Sequence, residues 1–129
     1  MKALLLLLVL TSCTLNAPTY YDYMKPTQWV HDNIEYSYVN QEEWQLPHET
    51  IERGAGDCED FALLLLYVVK DMYGVEGFLV VFEGETAYHA VAQFDAYYDA
   101  VSGCRFSEIE GRVAKIWTYQ EAMWTAMFH

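Results

Sequence analysis

The pattern of apolar and polar positions divides the chain into a short apolar leader, a polar stretch and a longer folded part. Ala3 to Leu10 is a continuous apolar run of eight residues, too short to cross a bilayer but typical of the apolar region of a signal peptide. Residues 14–25 are polar and rich in tyrosine. We therefore expect a signal segment over residues 1–12, a tether over residues 13–25 and one folded domain over residues 26–129.

The longest predicted helix follows a glycine-rich approach. Residues 61–69 are apolar on every side, so the helix that contains them should lie at the centre of the fold. Asp57 is suited to cap the start of this helix and Gly74 to end it, which gives a helix from Asp57 to about Tyr73. Shorter helices are predicted for residues 28–33 with Thr27 as cap, for residues 49–52 after Pro47, and for the stretch after Thr118.

Three apolar runs after the central helix predict strands that short turns separate. These runs cover residues 78–82, 88–94 and 97–101, and residues 105–117 add one or two further strands. Residues 34–39 alternate in the manner of an extended segment. A helix followed by a strand meander is typical of an α+β fold, in which an antiparallel sheet packs on the central helix.

Composition narrows the class of protein. Of the 129 residues, 53% are hydrophobic and 16% aromatic, which excludes a disordered chain and is enough for one compact core. Nineteen acidic residues outnumber seven Lys and Arg residues, for a formal net charge of −12. A nucleic-acid partner would need a basic surface, so we expect no nucleic-acid partner. We also expect the domain to be a monomer.

Three cysteines are an odd number, so any pairing leaves one for other chemistry. The leader ends in Leu10-Thr11-Ser12-Cys13, which resembles the lipobox of bacterial lipoproteins, where the cysteine is lipidated and becomes the new N-terminus. This resemblance implies a lipid on Cys13 and a membrane-anchored protein of the bacterial cell envelope, outside the cytoplasm. An ordinary secretory leader and a secreted protein stay open as the alternative. For Cys104 we expect a spare thiol, with a Cys58–Cys104 disulfide as the second possibility.

Cys58 falls at the first position of the central helix. There, unpaired backbone N–H groups and the positive end of the helix dipole favour a thiolate, the nucleophilic form. The acidic residues on both sides oppose this shift, so a cationic group is needed close to the thiol. His89 is the histidine inside a strand pattern, and Asp99 is on the next strand. We therefore predict a nucleophile, a general base and a carboxylate that orients the base.

The turn between these two strands decides whether His89 and Asp99 meet. A turn of two residues would direct the two side chains to opposite faces of the sheet. A turn of three residues, 94–96, makes Val91 the partner of Asp99 and His89 its diagonal neighbour on the same face. We therefore predict an odd turn with Asp95 at its tip.

Five stretches of the sequence resemble one family. The string Gly56-Asp57-Cys58-Glu59-Asp60-Phe61-Ala62, preceded by residues 44–50, looks like the bacterial transglutaminase-like cysteine proteinases. More broadly it resembles the transglutaminase-like branch of the papain-like fold. Residues 29–36 resemble the lead-in of that family, and residues 89–91 and 98–99 resemble its His and Asp strands.

This resemblance implies a papain-like, transglutaminase-like fold and a catalytic triad of Cys58, His89 and Asp99. It also implies a possible need for Ca²⁺, with Asp57 and Glu59 as candidate ligands. The implied activity is that of an extracytoplasmic cysteine peptidase, a thiol-dependent amide hydrolase acting on a protein or peptide substrate. A transglutaminase or protein-glutamine deamidase could use the same triad, and a non-catalytic lipoprotein binding module could keep the fold.

The surroundings of the nucleophile complete the prediction. The backbone N–H of Cys58 at the helix start is the expected first donor to an oxyanion. Gln28 or Gln45 could supply the second donor, and Trp44 could line the cleft beside the thiol.

Overall fold

The computed structural model of the protein describes residues 21–38 and 43–128. The predicted signal segment, the lipidation residue Cys13 and the first part of the predicted tether lie outside the described residues. Within those two described ranges, no helix is long and apolar enough to cross a membrane.

The described chain forms four helices, with the longest at the centre of the fold. They are α1 (Met24–Asn33), α2 (Pro47–Arg53), α3 (Cys58–Tyr73) and α4 (Tyr119–Met127). Helix α3 is capped by Asp57 and ends at Gly74, which has a φ of 72° that favours glycine. Its leucines, residues 63–66, are fully buried. The predicted central helix is therefore confirmed.

Residues 21–38 and 43–128 contain seven strands, which form two sheets. The strands are β1 (Glu35–Tyr36), β2 (Ala55–Gly56), β3 (Phe78–Glu83), β4 (Tyr88–Gln93), β5 (Tyr97–Asp99), β6 (Cys104–Phe106) and β7 (Arg112–Thr118). Strands β1 and β2 form a short parallel pair, and the other five form an antiparallel sheet in the order β6-β5-β4-β3-β7. The predicted α+β architecture, with an antiparallel sheet on the central helix, is confirmed.

The core lies between α3 and the five-stranded sheet. Strand β4 contributes Ala90 and Ala92 to this core, and β3 contributes Leu79, all nearly inaccessible to solvent. Small side chains on β4 allow the backbone of the helix to lie close to the strand. The first turn of α3, which carries Cys58, is thereby held against β4, which carries His89.

Helix α1 begins earlier than predicted. Thr27 does not cap the helix; its buried hydroxyl donates to the carbonyl oxygen of Tyr23 at 2.7 Å. The Asp22 carboxylate instead accepts from the backbone N–H of Met24 at 3.1 Å. Because Tyr23 is buried and stacks on Phe94, the folded part includes residues that the sequence placed in the tether.

Candidate active site

A tight turn delivers Cys58 to the start of α3. Gly56 is paired with Tyr36 in the β1–β2 pair, and a Cβ at Gly56 would lie 2.6 Å from the Cβ of Asp60. Asp57 and Asp60 then exchange hydrogen bonds: the N–H of Asp60 donates to Asp57 at 3.2 Å, and the N–H of Asp57 donates to Asp60 at 3.1 Å. Each residue of the Gly-Asp-Cys string therefore has its own role: Gly56 allows the close approach to Asp60, Asp57 caps α3, and Cys58 begins the helix.

Cys58 is a buried free thiol with opposing electrostatic neighbours. Its sulfur lies 3.6 Å from a carboxylate oxygen of Glu59, and the backbone N–H of Ala90 donates to it. Burial and the charge of Glu59 raise the pKa of Cys58 to about 12, against the lowering effect of Ala90. In these surroundings Cys58 is therefore a thiol at neutral pH, and the thiolate expected from the helix start does not form by itself.

His89 and Asp99 form a hydrogen-bonded pair. Nε2 of His89 lies 3.0 Å from Oδ2 of Asp99, a carboxylate that is itself buried. The carboxylate also accepts from the backbone N–H of Val101 and from the hydroxyl of Ser102, each at 3.0 Å. With Nε2 directed at Asp99, Nδ1 is the imidazole nitrogen left to exchange a proton. The role of Ser102 was not predicted from the sequence. Asp and Ser are common in turns, where their side chains form hydrogen bonds with groups a few residues away.

The turn between β4 and β5 has the predicted odd length. Gln93 pairs with Tyr97, so three residues, 94–96, form the turn. Asp95 is at the tip and accepts a hydrogen bond from the hydroxyl of Tyr98 at 2.7 Å. Asp99 therefore lies on the face of the sheet that His89 shares, as the register argument required.

One groove of about 440 Å³ contains both Cys58 and His89. Asp99 joins them through its hydrogen bond to the imidazole. The tyrosines and the β3–β4 turn that complete the walls of the groove were not predicted from the sequence. For Tyr36 and Tyr38, the one available signal was the alternation of residues 34–39, which indicated an extended segment. The lining residues are Tyr36, Tyr38, Asp57, Cys58, Glu59, Gly84, Glu85, Thr86, Ala87, Tyr88 and His89.

The structure does not bring the two predicted glutamines to the nucleophile. Nε2 of Gln28 donates to the carbonyl oxygen of Gly103 at 2.8 Å. Nε2 of Gln45 donates to the Thr50 hydroxyl and to the carbonyl oxygen of Ala55, both at 3.0 Å. Both amide groups are thus bound elsewhere, and neither lines the groove, so the predicted second oxyanion donor is not found among them.

Trp44 is also placed differently from the prediction. Its ring packs edge-on against Trp117, with 5.0 Å between the ring centroids. It lines a separate groove near α2, not the one that contains Cys58. The indole therefore packs against β7 of the five-stranded sheet.

The two candidate calcium ligands line the groove beside Cys58. The Asp57 carboxylate is buried and accepts from the backbone of Asp60 as the cap of α3. In the part of the chain that the structure describes, no three His, Cys, Asp or Glu side chains come together in a way that could hold a metal. A role of Asp57 and Glu59 in binding Ca²⁺ therefore stays a prediction.

The state of the cysteines differs from the prediction. Cys58 is free, which excludes a Cys58–Cys104 disulfide. Cys104 is disulfide-bonded and so is not a spare thiol.

Comparisons with known proteins identify the family and the fold of the chain. The family model for a transglutaminase-like domain matches residues 15–98, a range that includes Cys58 and His89 and stops just before Asp99. A solved structure of a candidate cysteine protease from Cytophaga hutchinsonii is similar with a TM-score of 0.60 and 21% sequence identity. The match covers 81% of this chain and 37% of that protein, so this chain spans little more than a third of its length. At that identity the likeness shows the fold. No curated protein matches the chain.

Proposed function

Because the chain belongs to the transglutaminase-like domain family, we propose that it is a cysteine peptidase that hydrolyses an amide bond in a protein or peptide. The observation that carries the proposal is the groove that Cys58 and His89 share. The hydrogen bond from His89 to Asp99 supports the role of the imidazole as a base with a defined orientation.

The first step forms a thioester. Because Cys58 carries its proton at neutral pH, the proton must leave as the sulfur attacks. Nδ1 of His89 accepts it while Sγ bonds to the carbonyl carbon and the C=O electron pair moves to the oxygen. The backbone N–H of Cys58, in the first turn of α3, is the first donor to this oxyanion.

The second half of the reaction releases both products. The imidazolium of His89 gives its proton to the leaving nitrogen as the C–N bond breaks, and the Asp99 carboxylate stabilises the imidazolium until then. Water then attacks the thioester with His89 as base, and the acid product and the Cys58 thiol are restored. Apart from water and the backbone N–H of Cys58, every group used in these steps belongs to the three side chains.

Substitution of the nucleophile and the base tests the proposal. A peptide mixture is incubated with wild type, Cys58→Ala, Cys58→Ser and His89→Ala, and new amino termini are counted. We expect no hydrolysis by either Cys58 variant and a decrease of roughly 10²- to 10⁴-fold for His89→Ala. His48→Ala, which removes an exposed histidine of α2, is the matched control and should retain activity. Hydrolysis by a correctly folded Cys58→Ala protein would contradict the proposal.

The same assay separates hydrolysis from reaction at glutamine. The family name supports a transglutaminase or deamidase as the second candidate. Such an enzyme would release ammonia, and would incorporate a primary amine such as dansylcadaverine, without new amino termini. If wild type shows this pattern and Cys58→Ala does not, the triad acts on the side-chain amide of glutamine and not on the peptide bond.

The location of the enzyme is part of the proposal. The apolar leader supports a protein that is exported to the outer side of a bacterial membrane. The Leu-Thr-Ser-Cys string supports a lipid on Cys13, which requires that the disulfide of Cys104 is made with a cysteine of another molecule, because a lipidated sulfur cannot form a disulfide. Several acyl chains, unlike one, hold a protein stably on a bilayer. The substrate would then be a polypeptide of the cell envelope or the exterior.

A further inference from the structure

Tyr36 lies beside the nucleophile although it is distant in the sequence. Strand β1 pairs with β2 so that Tyr36 is opposite Gly56, two residues before Cys58. The backbone N–H of Ser37 donates to the carbonyl oxygen of Gly56 at 2.8 Å, which holds the strand in this register. Tyr36, Cys58 and His89 line the same groove.

The ring of Tyr36 is supported on two sides. Its centroid lies 6.0 Å from that of Phe61 in the first turns of α3, and 5.0 Å from that of Tyr38, which meets it edge-on. The side chain is half-buried, whereas Tyr38 is largely exposed. These contacts restrict the ring, so the hydroxyl is held within the groove and needs little reorganisation during a reaction.

Four side-chain hydroxyls line the groove, those of Tyr36, Tyr38, Thr86 and Tyr88, and of these only that of Tyr36 belongs to a side chain that is not exposed. Glu59 and Glu85, as carboxylates, can only accept hydrogen bonds, and the Tyr88 hydroxyl donates to Glu83 at 3.1 Å. Burial raises the pKa of Tyr36, and the hydrogen bond with Tyr38 and the charge of Cys58 raise it further. A hydrogen bond that raises this pKa is one in which Tyr36 donates, so a rotation of the O–H bond must turn it from Tyr38 to the substrate. Tyr36 is therefore a neutral O–H donor throughout the physiological pH range.

We propose that Tyr36 is a further catalytic residue, whose hydroxyl donates a hydrogen bond to the oxyanion formed when Cys58 attacks an amide carbonyl. This inference rests on the proposed function. As the C–S bond forms, the C=O electron pair moves to the oxygen, which accepts from the Cys58 N–H and the Tyr36 O–H. The tyrosine keeps its proton, and the pair returns to the carbonyl when the C–N bond breaks. A neutral donor adds no charge to a site already crowded with carboxylates.

The test uses an acyl donor that does not depend on the natural substrate. The full chain and its Tyr36→Phe variant are mixed with 4-nitrophenyl acetate, and the release of 4-nitrophenolate that Cys58→Ala lacks is taken as acylation of Cys58. We expect Tyr36→Phe to acylate at least tenfold more slowly, and up to about 10²- to 10³-fold, since one oxyanion donor is lost. Tyr67→Phe removes the hydroxyl of an exposed tyrosine on α3 and is the matched control.

Alkylation by iodoacetamide distinguishes a catalytic role from a structural one. This displacement forms a C–S bond without an oxyanion, so its rate at a fixed pH of about 9 should change by less than about twofold in Tyr36→Phe. Equal losses in alkylation and acylation would show that the hydroxyl supports the fold of the groove and would overturn the inference. The ring contacts with Phe61 and Tyr38 are retained in the variant, so the protein should fold.

The possible outcomes separate this inference from the proposed function. If wild type and Tyr36→Phe acylate at the same rate, Tyr36 is not an oxyanion donor and the peptidase proposal stands. If wild type forms no acyl-enzyme on Cys58, the proposed function fails, and the role of Tyr36 fails with it.

Discussion

The reactivity of Cys58 is controlled by side chains and backbone in direct contact with its sulfur. Glu59, the next residue, places a carboxylate oxygen 3.6 Å away, while the Ala90 N–H donates to the sulfur from β4. Burial and the charge of Glu59 both raise the pKa of Cys58, which favours the thiol over the thiolate. In the proposed mechanism His89 therefore acts as a general base during attack, because a preformed ion pair with Cys58 would require a much lower pKa of the thiol.

Removal of the Glu59 charge should make the thiol more reactive. In Glu59→Gln, loss of a like charge beside the sulfur lowers the pKa of Cys58, and a shift of about one unit would raise the thiolate fraction roughly tenfold. The measurement is the rate of alkylation by iodoacetamide between pH 7 and 9. Glu76→Gln, at an exposed carboxylate paired with Lys70 beyond the far end of α3, is the control and should alkylate at the wild-type rate. An unchanged rate in Glu59→Gln would mean that Glu59 does not suppress the thiolate.

At the scale of elements, the start of α3 carries a buried carboxylate that couples stability to pH. Asp60 accepts from the backbone N–H of Gln45 at 2.7 Å as well as from that of Asp57. Burial raises the pKa of Asp60 to about 7, although both hydrogen bonds lower it. In the unfolded chain its pKa is about 4. The folded state therefore binds this proton more tightly than the unfolded state.

The sign of this coupling gives a prediction. The contribution of Asp60 to stability is fully present below about pH 4 and is lost as the pH rises through about 7, because the buried carboxylate must then ionise. In Asp60→Asn, the decrease in Tm between pH 4 and 8 should be smaller than in wild type by roughly 5 °C, measured by circular dichroism. Asp32→Asn, at an exposed position of α1, is the control. Parallel curves for wild type and Asp60→Asn would contradict the coupling.

At the scale of the whole molecule, the chain enters the fold far from the groove. The hydroxyl of Tyr73 donates to the carbonyl oxygen of Asp22 at 3.0 Å, and its ring lies 4.8 Å from that of Tyr21. Tyr73 and Cys58 are the two ends of α3, whose sixteen residues span about 24 Å. Tyr21 and Asp22 therefore lie at the end of α3 opposite Cys58.

The proposed anchor can be tested in cells. In a bacterial host, metabolic labelling with an alkynyl palmitate should label the wild-type protein and not Cys13→Ser, which should move from the membrane to the soluble fraction. Cys58→Ala is the control and should be labelled like wild type. An unlabelled wild-type protein would contradict lipidation, as would a peptide map that joins Cys13 to the disulfide-bonded Cys104.

The sequence by itself determined the features whose signals lie within a few neighbouring residues. The Asp57 cap and Gly74 delimit α3, and the odd turn 94–96 places His89 and Asp99 on one face, because capping and strand register are local geometry. The position of Cys58 at the start of the central helix, together with the family motif, predicted it as the nucleophile that acts with His89 and Asp99.

The tertiary structure decided which distant groups meet. Gln28 binds Gly103, 75 residues along the chain, and Tyr36 reaches the groove through a strand pair that no local pattern indicates. Burial likewise decided that Cys58 is a thiol, because desolvation depends on everything packed around the sulfur. Long-range packing and solvent exclusion are properties of the assembled fold, so no short stretch of sequence encodes them.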